Sequence, residues 1–379
     1  MGRVKTALIH SDAWTRFDYG PDHPLRMERL GLTWRLMEAC GLTTLPDSVV
    51  QAPELADEAA LLQFHTRDYL EVLRAANSGE APLAVICRYG LGPGDNPVFP
   101  GLWEAARLAA GGSLLAARLV ASGEVDRTFH FAGGLHHAMR DRASGFCYVN
   151  DAVLAILLLR GHGLRVAYID IDAHHGDGVQ AAFYTDPNVL TISTHERGDR
   201  LFPGTGFVEE LGEGEGRGYS VNLPLDVLTD SAVYLRAFEA VVPPLLAAFR
   251  ADVVVAQLGI DSHRTDPLTH LALDIQGFTQ AVRRIVEHAP RLVALGGGGY
   301  DIGNVARAWT AAWAVMNEID LPLELPEAYV AHARWFRVPG GSLWDPPAVI
   351  DETRHRLAQD YASRQVEAVR RLIFPLHGL

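Results

Sequence analysis

Short apolar runs rich in β-branched residues alternate with longer amphipathic stretches along most of this chain. The short runs predict strands at residues 5–10, 127–131, 165–170, 189–194, 219–223, 252–258 and 292–295. The longer stretches carry apolar residues at helical spacing and predict helices at residues 25–40, 102–120, 231–249, 276–288 and 304–316. This alternation is typical of an α/β fold in which helices cover a parallel sheet.

The rest of the pattern indicates a single domain over residues 1–379. No segment repeats at a fixed period, and no linker rich in Pro, Gly and Ser separates two halves. Residues 321–349 are rich in Pro and Trp and predict irregular chain packed over the main body. A terminal helix that reaches about Leu372 is expected after them.

Composition excludes several classes of function. The 33 Lys and Arg against 46 Asp and Glu give a net charge of −13, which has the wrong sign for direct nucleic-acid binding. Cys40, Cys87 and Cys147 are too few and too scattered for a disulfide framework or a thiolate zinc site. No apolar run reaches about 18 residues without a charge or a breaker, and residues 1–6 lead directly into the first predicted strand. We therefore expect a cytoplasmic protein without a membrane segment.

Polar motifs follow five of the predicted strands, each at the strand's carboxyl end. They are residues 133–137 (GGLHH), residues 170–178 (DIDAHHGDG), His195, residues 259–261 (GID) and residues 296–300 (GGGGY). An open parallel sheet binds its ligands in the crevice outside those ends, so we expect the motifs to converge on one cleft. Each motif alone has an ordinary structural explanation, but five at matching positions indicate an active site.

Asp172, His174 and Asp261 are the candidate metal ligands. Two carboxylates and an imidazole suit Zn²⁺ or Fe²⁺, and three protein ligands leave one position open for water and substrate. That open position is typical of a catalytic site. The alternative role for Asp261 is a helix N-cap, which the neighbouring Ser262 would fill equally well.

Two adjacent imidazoles are the candidate proton carriers. His136 and His137 would titrate as a coupled pair. Asp170 and Asp177, the carboxylates left over from metal binding, would orient the two rings and separate their pKa values. The glycine run before Tyr300 allows its phenol to reach the cleft and donate to an oxyanion. The alternative for Tyr300 is an ordinary half-buried tyrosine at a turn.

With these residues the chain resembles the metal-dependent histone deacetylase family, and most of all its prokaryotic acetoin-utilisation branch. The resemblance covers about residues 5–320 and includes further motifs at residues 22–24 (DHP), 144–151 (SGFCYVND), 202–206 (FPGTG) and 257–261 (QLGID). It implies an arginase-like α/β fold with a central eight-stranded parallel sheet, on which the C-terminal extension packs. It also implies one zinc-type ion and hydrolysis of Nε-acetyl-lysine to lysine and acetate.

The resemblance implies a role for each matching residue. It makes Asp172, His174 and Asp261 the metal ligands. It pairs His136 with Asp170 and His137 with Asp177, and it makes His137 the main proton carrier, while Tyr300 would polarise the acetyl carbonyl. The implied substrate contacts are Pro24, Asp95, Gly145, Phe146, Phe202 and Leu268, and the implied residue of an internal acetate channel is Arg29.

Structural K⁺ is implied at two places. The first group of potassium residues is Asp170, Asp172, His174, Ser193 and Thr194. The second is Phe183, Val189 and Tyr219. This second group departs from the family pattern, because Asp186 stands where relatives often carry a small hydroxyl residue.

Three functions remain open from the sequence. They are deacetylation of acetyl-lysine in proteins or peptides, hydrolysis of acetylpolyamines or another small amide, and inactive binding of acyl-lysine. Leu268 favours the first over the second, because relatives that prefer acetylpolyamines carry a glutamate there. Intact His136, His137 and Tyr300 argue against the third. Residues 94–97 read Gly-Asp-Asn-Pro where eukaryotic relatives commonly have Asp-Cys-Pro, so Asp95 departs from the pattern.

Overall fold

An eight-stranded, entirely parallel sheet forms the centre of the chain in a computed structural model that describes residues 4–348 and 351–379. The strands are β1 Thr6–Ile9, β2 Ser48–Gln51, β3 Arg127–His130, β4 Val166–Asp170, β5 Val189–Glu196, β6 Ser220–Leu225, β7 Val253–Gln257 and β8 Leu292–Leu295. Their order across the sheet is β2-β1-β3-β8-β7-β4-β5-β6, and every neighbouring pair is parallel. The predicted entry to the first strand at residues 1–3 and the predicted irregular chain at residue 349 lie outside the described residues.

Helices cover both faces of this sheet. They are α1 Glu28–Ala39, α2 Glu58–Leu61, α3 Arg67–Asn77, α4 Leu83–Ile86, α5 Leu102–Ala121, α6 Asp151–Gly161, α7 Asp177–Phe183, α8 Ser231–Phe249, α9 Ile275–His288, α10 Ile302–Met316, α11 Glu327–Ala333 and α12 Glu352–Leu372. Several begin at a side chain that accepts a free backbone N–H of the first turn, as Asp230, Asp274 and Asp301 do for α8, α9 and α10.

Strands β4 and β7 are apolar except at their carboxyl ends, and β8 is apolar throughout, because both faces of the sheet are buried there. Ala167 and Ile169 of β4 belong to the core under α8, α9 and α10, whereas Val166 and Tyr168 of the same strand belong to the core under α5 and α6. Alternate residues of a strand point to opposite faces, so β4 contributes to both cores at once. Asp170, at its carboxyl end, is the first polar residue of the strand.

Helix α8 is long and apolar enough to cross a membrane by length and composition, with a mean hydropathy of 1.5. Among the described residues it is the one helix with this property. Half of this stretch is buried, and it packs against α9 and α12. Packing between these helices accounts for its apolar character.

The structure confirms the predicted α/β class and the eight-stranded parallel sheet. The apolar pattern alone had indicated only seven strands, because it did not reveal β2. The prediction that residues 321–349 are irregular is wrong in part, since α11 forms inside that stretch, directly after its N-cap residue Pro326. The terminal helix is present as α12.

Candidate active site

The site lies where β3, β8, β7 and β4 end, because these four strands are neighbours at the centre of the sheet. The loops after them carry the histidine pair, Tyr300, Asp261 and the motif at residues 170–178, respectively. His195, the remaining polar motif, lies outside this group: its Nε2 is 3.0 Å from the carbonyl of Gly206, and its ring contacts His175. It therefore connects β5 to the loop that follows it.

Asp172, His174 and Asp261 form a buried cluster in which their ligand atoms lie within 4.8 Å of one another. The Nδ1 atom of His174 is 3.1 Å from Asp172 Oδ1 and 2.8 Å from Asp261 Oδ2. Burial and the neighbouring Asp172 carboxylate raise the pKa of Asp261 to about 6. Two carboxylates this close together in a dry interior favour a bound cation that offsets their repulsion.

The second oxygen of each carboxylate is already held by the protein. Asp172 Oδ2 accepts hydrogen bonds of 2.8 Å from Gln257 Nε2 and from the Gly298 N–H. Asp261 Oδ1 accepts the Ala173 N–H at 2.7 Å. The atoms that face one another are the His174 Nδ1, Asp261 Oδ2 and Asp172 Oδ1, of which Asp172 Oδ1 also accepts the His174 backbone N–H at 2.9 Å. This donor set fits zinc or ferrous iron at a catalytic site.

Glycine at position 298 keeps the space between the carboxylates open. A Cβ there would collide with Asp261 Oδ2 and would lie 2.8 Å from Asp172 Oδ2. The flanking Gly297 and Gly299 have φ angles of 130° and 137°, which side chains rarely allow. The glycine run is thus required both by its backbone path and by the cluster beside it.

His136 and His137 form a hydrogen-bonded pair next to the cluster. Their Nε2 atoms are 3.0 Å apart, and each Nδ1 lies 2.7 Å from a carboxylate oxygen, of Asp170 for His136 and of Asp177 for His137. Burial lowers the pKa of His136, but Asp170 and Asp172 outweigh it and raise that pKa to about 9. Burial and the neighbouring His136 lower the pKa of His137 to about 4. The surroundings of the two rings therefore displace their pKa values in opposite directions.

Aromatic rings frame the approach to the cluster. The Tyr300 ring centroid is 6.4 Å from that of His174 and 5.8 Å from that of Phe146, edge-on in both cases. The Phe202 ring is 44% exposed and lies 5.0 Å from the ring of His137. Burial and the nearby aspartates hold the pKa of Tyr300 well above its usual value, so its hydroxyl stays protonated.

Comparison with known proteins shows which proteins share these features. The model of the histone deacetylase domain matches residues 23–316. The chain is 40% identical to the acetoin utilization protein AcuC of Bacillus subtilis over 361 residues, which cover 90% of each chain. It is also 40% identical to histone deacetylase 1 of Homo sapiens, over 86% of this chain and 67% of that one. The chain belongs to the histone deacetylase family.

Solved structures agree with this membership. A histone deacetylase homolog from Aquifex aeolicus superimposes with a TM-score of 0.86 at 31% identity, covering 96% of this chain and all of that one. A histone deacetylase homolog complexed with SAHA matches with the same values. The arginase/deacetylase fold, the resemblance to the acetoin-utilisation branch and the hydrolase class are thereby confirmed, and deacetylase activity is supported.

The predicted substrate contacts come from five separate stretches of the chain, at residues 24, 95, 145–146, 202 and 268. Gly145 is packed so closely on His137 that a Cβ would collide with the imidazole, and its carbonyl accepts the Cys147 thiol at 3.2 Å. The ring of His23, which precedes Pro24, lies 4.6 Å from that of Phe146. The rim segments at His23 and Asp95 are joined by a 3.2 Å contact between the imidazole and the backbone carbonyl.

Arg29 lies beside Tyr300, and Leu268 is connected to Tyr300 through Asp266. The buried Arg29 donates from Nη1 to the carbonyls of Gly297 and Gly299 at 2.9 and 3.0 Å. Together with Tyr300 it borders a cavity of about 20 Å³, which is room for roughly one water molecule. Leu268 is half-buried, and its N–H donates to Asp266 Oδ1 at 2.9 Å.

The residues predicted to hold potassium occupy two places beside β5. Asp170 and Ser193 are partners in the register of β4 and β5, and Thr194 follows. In the second group, Phe183 ends α7 and Val189 begins β5, while the carbonyl of Tyr219 accepts the Thr191 N–H at 2.8 Å. Both potassium assignments stay predictions.

Two residues that hold the site had received no role from the sequence. Gln257 Nε2 bonds to Asp172 and, at 3.2 Å, to the carbonyl of Gly134, so it joins two loops of the site. Asn150 Nδ2 donates to the carbonyls of His136 and Ala138 at 3.0 Å. Both residues belong to motifs that carry the family resemblance, at residues 257–261 and 144–151. Membership of these motifs is the sequence feature that could have indicated their role.

Proposed function

We propose that this chain is a zinc-dependent deacetylase that removes the Nε-acetyl group from lysine side chains of cytoplasmic proteins and releases acetate. The observation that carries the proposal is the hydrogen-bonded pair of His136 and His137, each held by its own carboxylate, beside the Asp172–His174–Asp261 cluster. Amide hydrolysis needs an activated carbonyl, a base for the water and an acid for the departing amine. This pocket offers candidates for all three.

Asp172, His174 and Asp261 would bind the ion. Zinc is the preferred candidate, and ferrous iron is the alternative. When bound, such an ion supplies Lewis-acid polarisation of the acetyl carbonyl and acidifies the attacking water. Tyr300 donates its hydroxyl hydrogen to the same carbonyl oxygen as negative charge develops there. Its edge-on packing against Phe146 orients the phenol.

The histidine pair moves the protons. Neutral His137 accepts the proton that the attacking water releases, and it later gives a proton to the lysine nitrogen as the amide bond breaks. Asp177 stabilises the imidazolium that forms at His137, and Asp170 does the same at His136. Each positive charge in this buried pair is therefore matched by one carboxylate.

The substrate side chain would enter between Phe146 and Phe202. Burying its four methylenes there contributes roughly 3 kcal/mol. The Gly145 carbonyl would accept the acetamide N–H, and the exposed carboxylate of Asp95 would accept peptide backbone N–H groups. The remaining rim residues are Pro24 and Leu268.

Arg29 is the proposed binding group for the acetate product. Its Nε is buried and has no hydrogen-bond partner among the described residues, which leaves a donor for a carboxylate. The adjoining cavity is bordered by Trp14, Tyr19 and Tyr148 and has a volume of about 40 Å³. It shares Leu25, Arg29 and Leu135 with the smaller cavity beside Tyr300. We also propose potassium at the two groups of residues beside β5.

The test compares kcat/KM of zinc-loaded protein for acetyl-lysine peptides, acetylputrescine and acetylspermidine. Acetyl-lysine peptides should be the best substrates. Asp95→Ala should lower peptide turnover more than turnover of a minimal acetyl-amide without a peptide backbone, while Asp360→Ala, an exposed aspartate of α12, should change neither. Lack of acetate release from every acetyl-lysine peptide would refute the proposal. A preference for acetylpolyamines would support the small-amide alternative, and binding without turnover would support the acyl-lysine-binding one.

A further inference from the structure

We propose that Asp345 is a positioning residue for Tyr300 and Leu268, acting through His263 on the loop that follows β7. Asp345 lies outside residues 23–316, which match the histone deacetylase domain. The catalytic unit of this chain accordingly extends into the segment between α11 and α12. The kinetic part of the test rests on the proposed function, and the structural part does not.

The carboxylate of Asp345 joins three elements. Its side chain is 6% exposed, and Oδ2 accepts His263 Nε2 and the Ile275 N–H, both at 2.8 Å. Oδ1 accepts Arg307 Nη1 at 2.8 Å. Burial alone would raise the pKa of Asp345, but the hydrogen bonds from His263 and Ile275 bring it well below its usual value. Asp345 therefore stays ionised and holds the loop after β7, the start of α9 and α10 together.

His263 has a defined hydrogen position in this network. Its Nδ1 accepts the Thr265 N–H at 3.2 Å and lies 2.9 Å from Asn304 Nδ2, which donates to it. The ring hydrogen consequently sits on Nε2 and is donated to Asp345. The imidazole thus fixes the turn at residues 263–265 against both the C-terminal segment and α10.

Thr265 and the next residue, Asp266, bond to Asp301 and Tyr300, respectively. Thr265 Oγ1 donates at 3.0 Å to Asp301, the residue after Tyr300 and the N-cap of α10. Asp266 Oδ2 accepts the Tyr300 N–H at 2.8 Å, and its Oδ1 accepts the Leu268 N–H at 2.9 Å. Thr265 and Asp266 therefore fix the backbone position of Tyr300. Asp266 also fixes the backbone position of Leu268.

A displacement of about 1 Å in a group that acts in the transition state can cost about 10²-fold in rate. Removal of the Asp345 carboxylate leaves two buried donors, His263 Nε2 and the Ile275 N–H, without this acceptor, whereas Arg307 Nη1 keeps the Leu343 carbonyl at 3.2 Å. Unsatisfied buried donors are costly, so we expect the loop that carries His263 to shift. We therefore expect Asp345→Ala to lower kcat by roughly 10- to 100-fold. KM for a minimal acetyl-lysine substrate should stay within about twofold, because the walls of the tunnel belong to other loops.

The experiment uses the full chain loaded with zinc, and a hydroxamate titrates the active sites so that kcat refers to competent sites only. Asp345→Asn, which keeps one acceptor oxygen, should lose less activity than Asp345→Ala. Ser342→Ala is the matched control, because Ser342 lies on the same segment and its hydroxyl bonds, among the described residues, only to the Leu323 carbonyl and the Trp344 N–H. An unchanged kcat per titrated site in Asp345→Ala would overturn the proposal. A residue that only stabilises the fold would change the number of competent sites, whereas a positioning residue changes the kcat of each competent site.

Two further measurements complete the test. The double variant His263→Ala with Asp345→Ala should lose no more kcat than the worse single variant, and fully multiplicative losses would contradict a shared path. Amide hydrogen exchange at residues 263–274 and 297–303 should be faster in Asp345→Ala and unchanged in Ser342→Ala. Equal exchange in Asp345→Ala and wild type would overturn positioning, whereas a wild type without deacetylase activity would refute only the proposed function.

Discussion

Replacing Tyr300 with phenylalanine removes one hydroxyl group and leaves the ring in place. The edge-on contacts with His174 and Phe146 and the backbone bond to Asp266 do not involve the hydroxyl, so they should survive. Loss of one donor to a developing oxyanion lowers kcat by about 10² to 10³, or about 2.7 to 4 kcal/mol. We expect this loss in kcat with little change in KM, because the bond to the carbonyl oxygen strengthens only in the transition state.

The assay measures acetate release at saturating peptide, together with zinc content and the free energy of unfolding. Zinc content should equal that of wild type, and unfolding should change by no more than about 1 kcal/mol. Tyr329→Phe is the control, because its hydroxyl is buried and has no hydrogen-bond partner among the described residues. An unchanged kcat in Tyr300→Phe would refute the assignment. A rise in KM alone would show that the phenol acts in ground-state binding instead.

Three other outcomes are expected at the same site. Removal of metal by a chelator should abolish activity, and addition of one zinc or ferrous ion per chain should restore it. Full activity of verified metal-free protein would contradict the assignment of Asp172, His174 and Asp261 as metal ligands. kcat/KM should fall as pH drops through about 4, where His137 takes up a proton, and as pH rises through about 9, where His136 loses one. Because the pKa of His136 is raised to about 9, its protonation contributes fully to folding stability below pH 6.5, and this contribution is lost as the pH rises through about 9. Asp170→Asn should move the alkaline decrease of kcat/KM to lower pH, and an unchanged alkaline decrease would exclude His136 as its source. Leu268→Glu should narrow or reverse the preference for peptides over acetylpolyamines, because a carboxylate attracts the distal ammonium groups, and an unchanged ratio of kcat/KM would remove Leu268 from the specificity rim.

The apolar pattern predicted the strands that are buried on both faces and did not reveal the one that is not. β2 is a four-residue edge strand in which Val49 and Val50 are exposed, so it has neither an apolar run nor an alternation that marks a strand. Helix α6 was missed for the opposite reason. Its residues are apolar on all sides because it is buried between other elements, and a helix of this kind has no amphipathic period.

The site was predictable to the extent that its residues follow strand ends. The positions of the motifs at strand ends predicted that Asp172, His174, Asp261 and the histidine pair lie at one edge of the sheet, and the structure places them there. The contacts of Gln257, Asp266 and Asp345 were not predictable, because each joins segments that only the folded loops bring together. Nothing in the sequence near Asp345 indicates a partner 82 residues earlier.

The close packing at Gly298 gives a criterion for interpreting other chains of this fold. Any side chain at this position would occupy the gap between the two carboxylates, while the aromatic walls at Phe146 and Phe202 would be untouched. A natural variant with alanine or serine there should still recognise acylated lysine and should have lost turnover. Such a protein would bind acylated lysine without removing the acyl group. A change in a single codon would therefore suffice to convert a deacetylase of this fold into an acyl-lysine-binding protein.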